Sequence, residues 1–134
     1  MEPSPADERE TAYDLLQRGE ELLRRRHHAQ AAIVLERANR LEPHRQSILE
    51  ALGRAYFNSG QHELSRRTFT ELLELEPSAH YAHYALGQSL KRLGRPSEAR
   101  THLKLAVALN PRTALYRQAL ARLPGPKPKP DPDG

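Results

Sequence analysis

The sequence predicts an all-α protein, an α-solenoid of three helix-turn-helix hairpins closed by a capping helix, about seven helices in all. Two observations carry this. The residues that punctuate local structure share one interval: Pro43, Pro77 and Pro111 stand 34 apart, as do Gly19, Gly53 and Gly87, and as do Gly60 and Gly94. A common interval of Gly and Pro means that one supersecondary unit is used three times. Between those marks the apolar residues recur at spacings of three to five, as in Leu49, Leu52 and Tyr56 and then Leu64, Phe69, Leu72 and Leu73. That is the stripe of two amphipathic helices per unit.

The elements follow in order. The first helix is expected over about residues 5–25, with Ser4, Pro5 and Asp7 as its N-cap, first-turn proline and capping-box acid. A basic turn at Arg24-Arg25-Arg26 leads to the second helix, about 28–41, which ends at Glu42-Pro43 because the residue before a proline is pushed out of the helical region. The second unit repeats the plan with helices at about 46–59 and 62–75, broken at Asn58-Ser59-Gly60-Gln61 and stopped by Pro77. In the third, helices at about 80–93 and 96–109 flank Leu93-Gly94-Arg95-Pro96, where Pro96 suits the first helical position, whose backbone N–H has no partner inside the helix. A last helix at 112–123 repeats only the first half of a unit. Its Leu115, Ala119, Leu120 and Leu123 are read as the side that covers the third hairpin, with Arg112, Arg117 and Arg122 solvated, as the terminal cap of a repeat array requires.

The unit resembles the tetratricopeptide repeat, whose signature runs Trp, two residues, Leu-Gly, two residues, Tyr, then Ala, three residues, Phe, and a closing Pro. The second unit supplies Leu49, Leu52-Gly53, Tyr56, Gly60, Ser65, Phe69, Leu72 and Pro77 at those offsets. The third supplies Leu86-Gly87, Leu90, Gly94, Ala99, Leu103, Ala106 and Pro111, and the first Leu15, Gly19, Leu22, Ala31, Leu35, Ala38 and Pro43. The first departs at Arg18 and Arg26, in place of Leu and Gly, and the third at His83, in the column of the large first-helix anchor. The resemblance implies a right-handed superhelix with repeats at about 12–45, 46–79 and 80–113, a domain over 11–123, and a concave face lined by the first helices. Residues 1–10 are expected to be partly disordered or to extend the first helix. The tail 124–134, which alternates Pro with Gly, Lys and Asp, is expected to be extended and disordered.

Composition limits the function. The 134 residues are the size of one domain, and the absence of Cys removes disulfides, thiolate metal sites and cysteine nucleophiles. The longest apolar run, Leu105–Leu109, falls far short of the roughly 20 residues of a membrane span. Met1–Glu10 carries four acids and one Arg, unlike the basic start of a secretory signal, so a cytoplasmic protein with no membrane partner is expected. His80 and His83 lie three apart and His27 and His28 are adjacent, but neither pair has a further ligand at metal spacing, so no metal and no cofactor is expected. No nucleophile elbow, Gly-rich phosphate loop or His-Glu-x-x-His helix is present, and no base stands beside a nucleophile. A non-catalytic adaptor or scaffold follows.

By the same resemblance, the groove should be lined by Tyr13, Leu16, Gln17, Glu20, Leu23 and Arg24, then Ser47, Glu50, Arg54, Phe57 and Asn58, then Tyr81, Tyr84, Gln88, Lys91 and Arg92. Apolar and aromatic residues facing a wet groove mark an interaction site, although Leu23 and Phe57 could equally pack between hairpins. The clamp of Lys, Asn and Arg with which chaperone adaptors of this family hold a C-terminal carboxylate would fall on Leu16, Glu20, Ala51, Tyr81 and Ala85, and none matches. Residues 11–88 hold ten basic and ten acidic side chains, whereas 89–123 hold eight basic and only Glu98. Lys91, Arg92 and Arg122 at the basic end lead to the expectation of an acidic protein or peptide partner bound in a salt-sensitive way. RNA or another polyanion at that end is the second reading, set behind the first because the excess of seventeen Arg over four Lys is a general bias of the chain. Self-association through an imperfectly capped end is a third.

Overall fold

The computed structural model describes residues 10–125. It contains seven helices: α1 (Ala12–Arg24), α2 (His28–Leu41), α3 (Gln46–Asn58), α4 (His62–Leu75), α5 (His80–Arg92), α6 (Pro96–Leu109) and α7 (Ala114–Arg122). Each packs against the next in sequence, and the first helices α1, α3 and α5 also pack on one another in a row. No comparable packing joins α2, α4 and α6. The first helices therefore lie on the inside of a curve and the second helices splay on its outside, a right-handed α-solenoid.

The start of α1 corrects the expectation of a helix from residue 5. Thr11 is the N-cap: its Oγ1 accepts the Asp14 N–H at 3.1 Å while the Asp14 carboxylate accepts the Thr11 N–H at 3.2 Å, a reciprocal capping box. Thr11 itself has extended backbone angles, so the helix cannot run through it. The proposed cap at Ser4, Pro5 and Asp7 lies outside the described residues, as does most of the Pro-rich tail.

Inside each hairpin, a glycine of the first helix faces a large side chain of the second. Leu35, Phe69 and Leu103 are fully buried. A Cβ on Gly19 would lie 2.4 Å from Leu35, one on Gly53 2.6 Å from the Phe69 ring, and one on Gly87 2.8 Å from Leu103. The repeated glycine is thus a contact requirement: the helices approach until only a hydrogen fits. Where Ala31 and Ala99 stand in the first and third units, Ser65 stands in the second, with its hydroxyl 2.8 Å from that of Ser89, which in turn donates to the Ala85 carbonyl at 2.9 Å. Both buried hydroxyls are satisfied, which is the condition for placing them in a core.

The three intra-hairpin turns share one closure. Gly60 and Gly94 have φ of +82° and +75°, and each is followed by a reach-back bond, Gln61 N–H to the Tyr56 carbonyl and Arg95 N–H to that of Leu90. The first turn makes the same bonds from Arg26 and His27, but Arg26 adopts φ +63° with a side chain attached. That conformation costs a non-glycine residue roughly 1–2 kcal/mol. Arg26→Gly is therefore expected to raise the unfolding free energy by about 1 kcal/mol, offset in part by glycine's greater freedom in the unfolded chain; a denaturation midpoint at or below that of the parent would refute the strain argument.

His83, the departure in the anchor column, is buried and accounts for its polar ring. Its Nε2 is 2.8 Å from the Pro77 carbonyl, so that nitrogen donates; its Nδ1 then accepts from His102 Nδ1 at 3.1 Å, with the two rings stacked at 5.4 Å. Burial and the neighbouring His83 hold His102 below the usual histidine range.

The capping helix docks on a different residue from the one expected. Ala119 and Leu123 are buried, but Leu115 is 49% exposed and Tyr116 is buried in its place. The Tyr116 hydroxyl meets His80 Nδ1 at 2.8 Å and its ring stacks on Tyr84 at 5.1 Å. The aromatic surface already present on α5 sets the rotation of α7 about its axis.

Candidate functional site

The groove residues fall into two neighbourhoods. At the N-terminal end Tyr13 is 65% exposed, its hydroxyl accepting from Gln17 Nε2 at 2.8 Å. Tyr13 and half-buried Leu16 line a shallow depression with Ser47 and Arg45. Leu23 is buried against Leu52 and Tyr56, so it packs between hairpins and offers nothing to a partner. Arg24 is exposed but its guanidinium is held at 2.6 Å by Glu21. Glu20 is half-buried.

The second neighbourhood lies between α3 and α5. Helical periodicity puts Arg54, Phe57 and Asn58 on one face of α3, and Tyr81, Tyr84, Ala85 and Gln88 on the facing side of α5. With Phe69 of α4 behind them they enclose an open-mouthed pocket of about 160 Å³. The aromatic rings support one another in series: Phe69 meets Tyr81 edge-on at 6.2 Å, Tyr81 meets Tyr84 at 6.0 Å, and Tyr84 stacks on Tyr116 at 5.1 Å. Burial pushes the Tyr81 phenol up to about 12 and raises that of Tyr116, so both remain neutral donors and acceptors across the physiological range.

Polar groups form the rim. The Arg92 guanidinium lies 6.0 Å over the Phe57 ring, whose edge also meets His62 at 5.0 Å. Arg54, Lys91, Arg92 and Arg122 have no carboxylate within ion-pair distance among the described residues, whereas Arg24, Arg25, Arg45, Arg66, Arg67 and Arg95 each do. Exposed Glu50 shares a neighbouring depression with Tyr81 and His80 on the N-terminal side of the pocket. Lys91 and Arg122 are exposed but line neither pocket. The residues that sequence reasoning left out of the site are Phe69, read only as hairpin core, Ala85, read only as a clamp position without a donor, and Tyr116, given no role. Phe69 had no sequence signal for its second role; the isolated tyrosine of the cap, one 34-residue step after Ala82 on α5, could have been the signal for Tyr116.

No group of three metal-ligating side chains occurs among the described residues, where His80 and His83 turn to different partners, Tyr116 and the Pro77–His102 pair. No helix there is long and apolar enough to cross a membrane.

Comparison with known proteins gives concordant likenesses. A family model described as tetratricopeptide repeat matches residues 16–64 and again 51–114. Superkiller complex protein 3 of Mus musculus is 31% identical over 94 residues, which are 70% of this chain and 6% of that protein; the chain thus spans only a small part of its curated relatives. Among solved structures, residues 41 to the end of MamA from Desulfovibrio magneticus RS-1 superpose with a TM-score of 0.80 at 21% identity, covering 84% of this chain and 64% of that one. The first such repeat domain of Spaghetti, bound to the HSP90 peptide SRMEEVD, gives 0.80 at 16% identity and coverage of 84% and 89%. YrrB, described as having an unusual peptide-binding site, gives 0.79 at 21% identity, with coverage of 82% and 57%. At these identities the structural likenesses show the fold.

Proposed function

The chain belongs to the tetratricopeptide repeat family, and from that premise we propose that it is a non-catalytic adaptor whose concave face holds an acidic segment of a partner protein. The observation that carries the proposal is the aromatic pocket between α3 and α5, lined by Arg54 and with Arg92 over the Phe57 ring beside it, neither arginine having an ion-pair partner among the described residues. Positive charge left unpaired beside an exposed apolar surface favours a partner that brings both acids and apolar contact. Peptide recognition by the structural neighbours Spaghetti and YrrB supports a peptide as the form of the partner. The carboxylate-clamp positions argue against a chaperone C-terminus as the ligand, since Ala51 and Ala85 are buried alanines without a donor side chain.

The test is affinity capture from native lysate, with and without nuclease, comparing the parent chain with a Tyr84→Ala/Arg54→Glu variant shown to be folded by circular dichroism. The expected result is a nuclease-resistant protein retained by the parent and lost by the variant. Recovery of only nuclease-sensitive material would replace the proposal with polyanion binding. Recovery of the bait alone would replace it with self-assembly.

A further inference from the structure

The groove reading says that a segment binds; the pocket between α3 and α5 says how it is anchored. Resting on that reading, we infer that this pocket takes one bulky apolar side chain of an extended partner peptide, with an acidic residue close by in the peptide reaching Arg54.

The size of the pocket is the first argument. Its volume of about 160 Å³ is close to that of the roughly 150 Å³ protein cavity that accommodates benzene. One branched aliphatic or single-ring side chain fills such a space. The walls are the second. Phe57, Tyr81 and Tyr84 stand around a base of Phe69 and Ala85, and Phe69 is fully buried beneath it. Each tyrosine is held by another ring, and Tyr84 is backed by Tyr116 of the capping helix. The walls are therefore fixed before a ligand arrives, which spares the entropy of ordering them on binding.

The rim selects the rest of the ligand. A cage of aromatic faces by itself would suit a cation, but Arg92 already covers the Phe57 face and Arg54 lines the same mouth. Two guanidinium groups repel a cationic side chain and attract a carboxylate. Gln88 contributes a further requirement. Its amide nitrogen stands 3.4 Å from the Tyr84 hydroxyl, while its Oε1 is shut off from solvent with no hydrogen-bond partner. A buried acceptor without a partner is unfavourable. Rotation of the amide into the pocket mouth relieves it when a peptide backbone is present, because a main chain offers both an N–H and a carbonyl beside the anchoring side chain.

The experiment uses the full chain as bait for a phage-displayed library of random dodecapeptides, followed by fluorescence anisotropy with synthetic copies of the enriched peptides. The expected consensus contains Leu, Ile, Met or Phe with Asp or Glu within three positions. Replacing that apolar residue by Ala in the peptide should weaken binding at least about tenfold, and the same replacement should matter far less against the Tyr84→Ala chain. The first comparison needs no altered protein and stands even if Tyr84→Ala fails to fold. An enriched consensus that is acidic without an apolar anchor, and whose binding is lost in Arg54→Glu, would overturn the anchor while leaving the groove reading in place. Peptides indifferent to every groove variant, or the enrichment of none, would overturn both. Binding of the oligonucleotide (rU)12 that Tyr84→Ala abolishes, with no peptide enriched, would assign the pocket to a nucleobase instead.

Discussion

Phe69→Ala is expected to cost about 3–5 kcal/mol of folding stability, the range for deleting a buried aromatic ring when its surroundings cannot close over the hole. The surroundings here are held apart. The ring is fully buried, lies against the backbone at Gly53 and edge-on to Tyr81, and joins the core shared by the second and third hairpins. In a solenoid each unit is stabilised only by its neighbours, so a defect in the middle unit uncouples both ends. Against a total of about 5–15 kcal/mol for a typical domain, the loss removes a large share of the folding free energy. Urea denaturation followed by circular dichroism checks it, and an unchanged midpoint would show that the hairpins do not depend on this contact. Phe69→Leu, which supplies the side chain used at Leu35 and Leu103 in the sister units, should recover part of the difference, since leucine leaves a smaller hole than alanine.

The second large effect is on binding. For a partner retained by the groove, Arg54→Glu/Arg92→Glu is expected to weaken affinity by about 2–5 kcal/mol, since it replaces attraction by like-charge repulsion at the mouth of an apolar pocket. Affinity of the parent should also fall as salt is raised, most steeply below about 0.15 M, where the Debye length exceeds the spacing of neighbouring surface charges. Neither arginine has an internal carboxylate partner to lose among the described residues, so the stability loss of the variant should be limited to the Arg92–Phe57 contact and the new like charge beside Glu50, about 1 kcal/mol in all. Calorimetric titration at low and high salt reads both. Salt-independent affinity together with full binding by the double variant would remove charge from the account of recognition.

The fold was legible because a repeat writes its constraints three times. Gly19, Gly53 and Gly87 each meet the large side chain of the partner helix at less than van der Waals distance from where a Cβ would stand, so no other residue fits and the interval survives in the sequence. Helix stops were legible for a local reason as well, since Pro43, Pro77 and Pro111 restrict the residue before them whatever surrounds it. The start of α1 was not. Ser4-Pro5-Asp7 and Thr11-Ala12-Tyr13-Asp14 are both plausible local signals, and only the second coincides with the point where Ala12 and Leu15 enter the core. The candidate site was legible in part. The family resemblance put Arg54, Phe57, Asn58, Tyr81, Tyr84 and Gln88 on the inner faces of α3 and α5, and the structure brings them to one place. A resemblance says nothing of whether a side chain finds a partner of its own, so Leu23, which sinks into the core, and Arg24, which pairs with Glu21, could not be separated from them.

What the sequence determined by itself is therefore the architecture: one hairpin repeated three times, where each turns and where each ends. These depend on contacts within about 34 residues, and they recur. What only the tertiary structure decided is the chemistry of the surface. Phe69 reaches through from the hairpin core to floor a pocket, Tyr116 rather than Leu115 turns inward to brace Tyr84, and His83 takes an apolar column by pairing with His102 and the Pro77 carbonyl. Each of these joins residues from different helices in a contact made only once, which leaves no periodic trace in the chain.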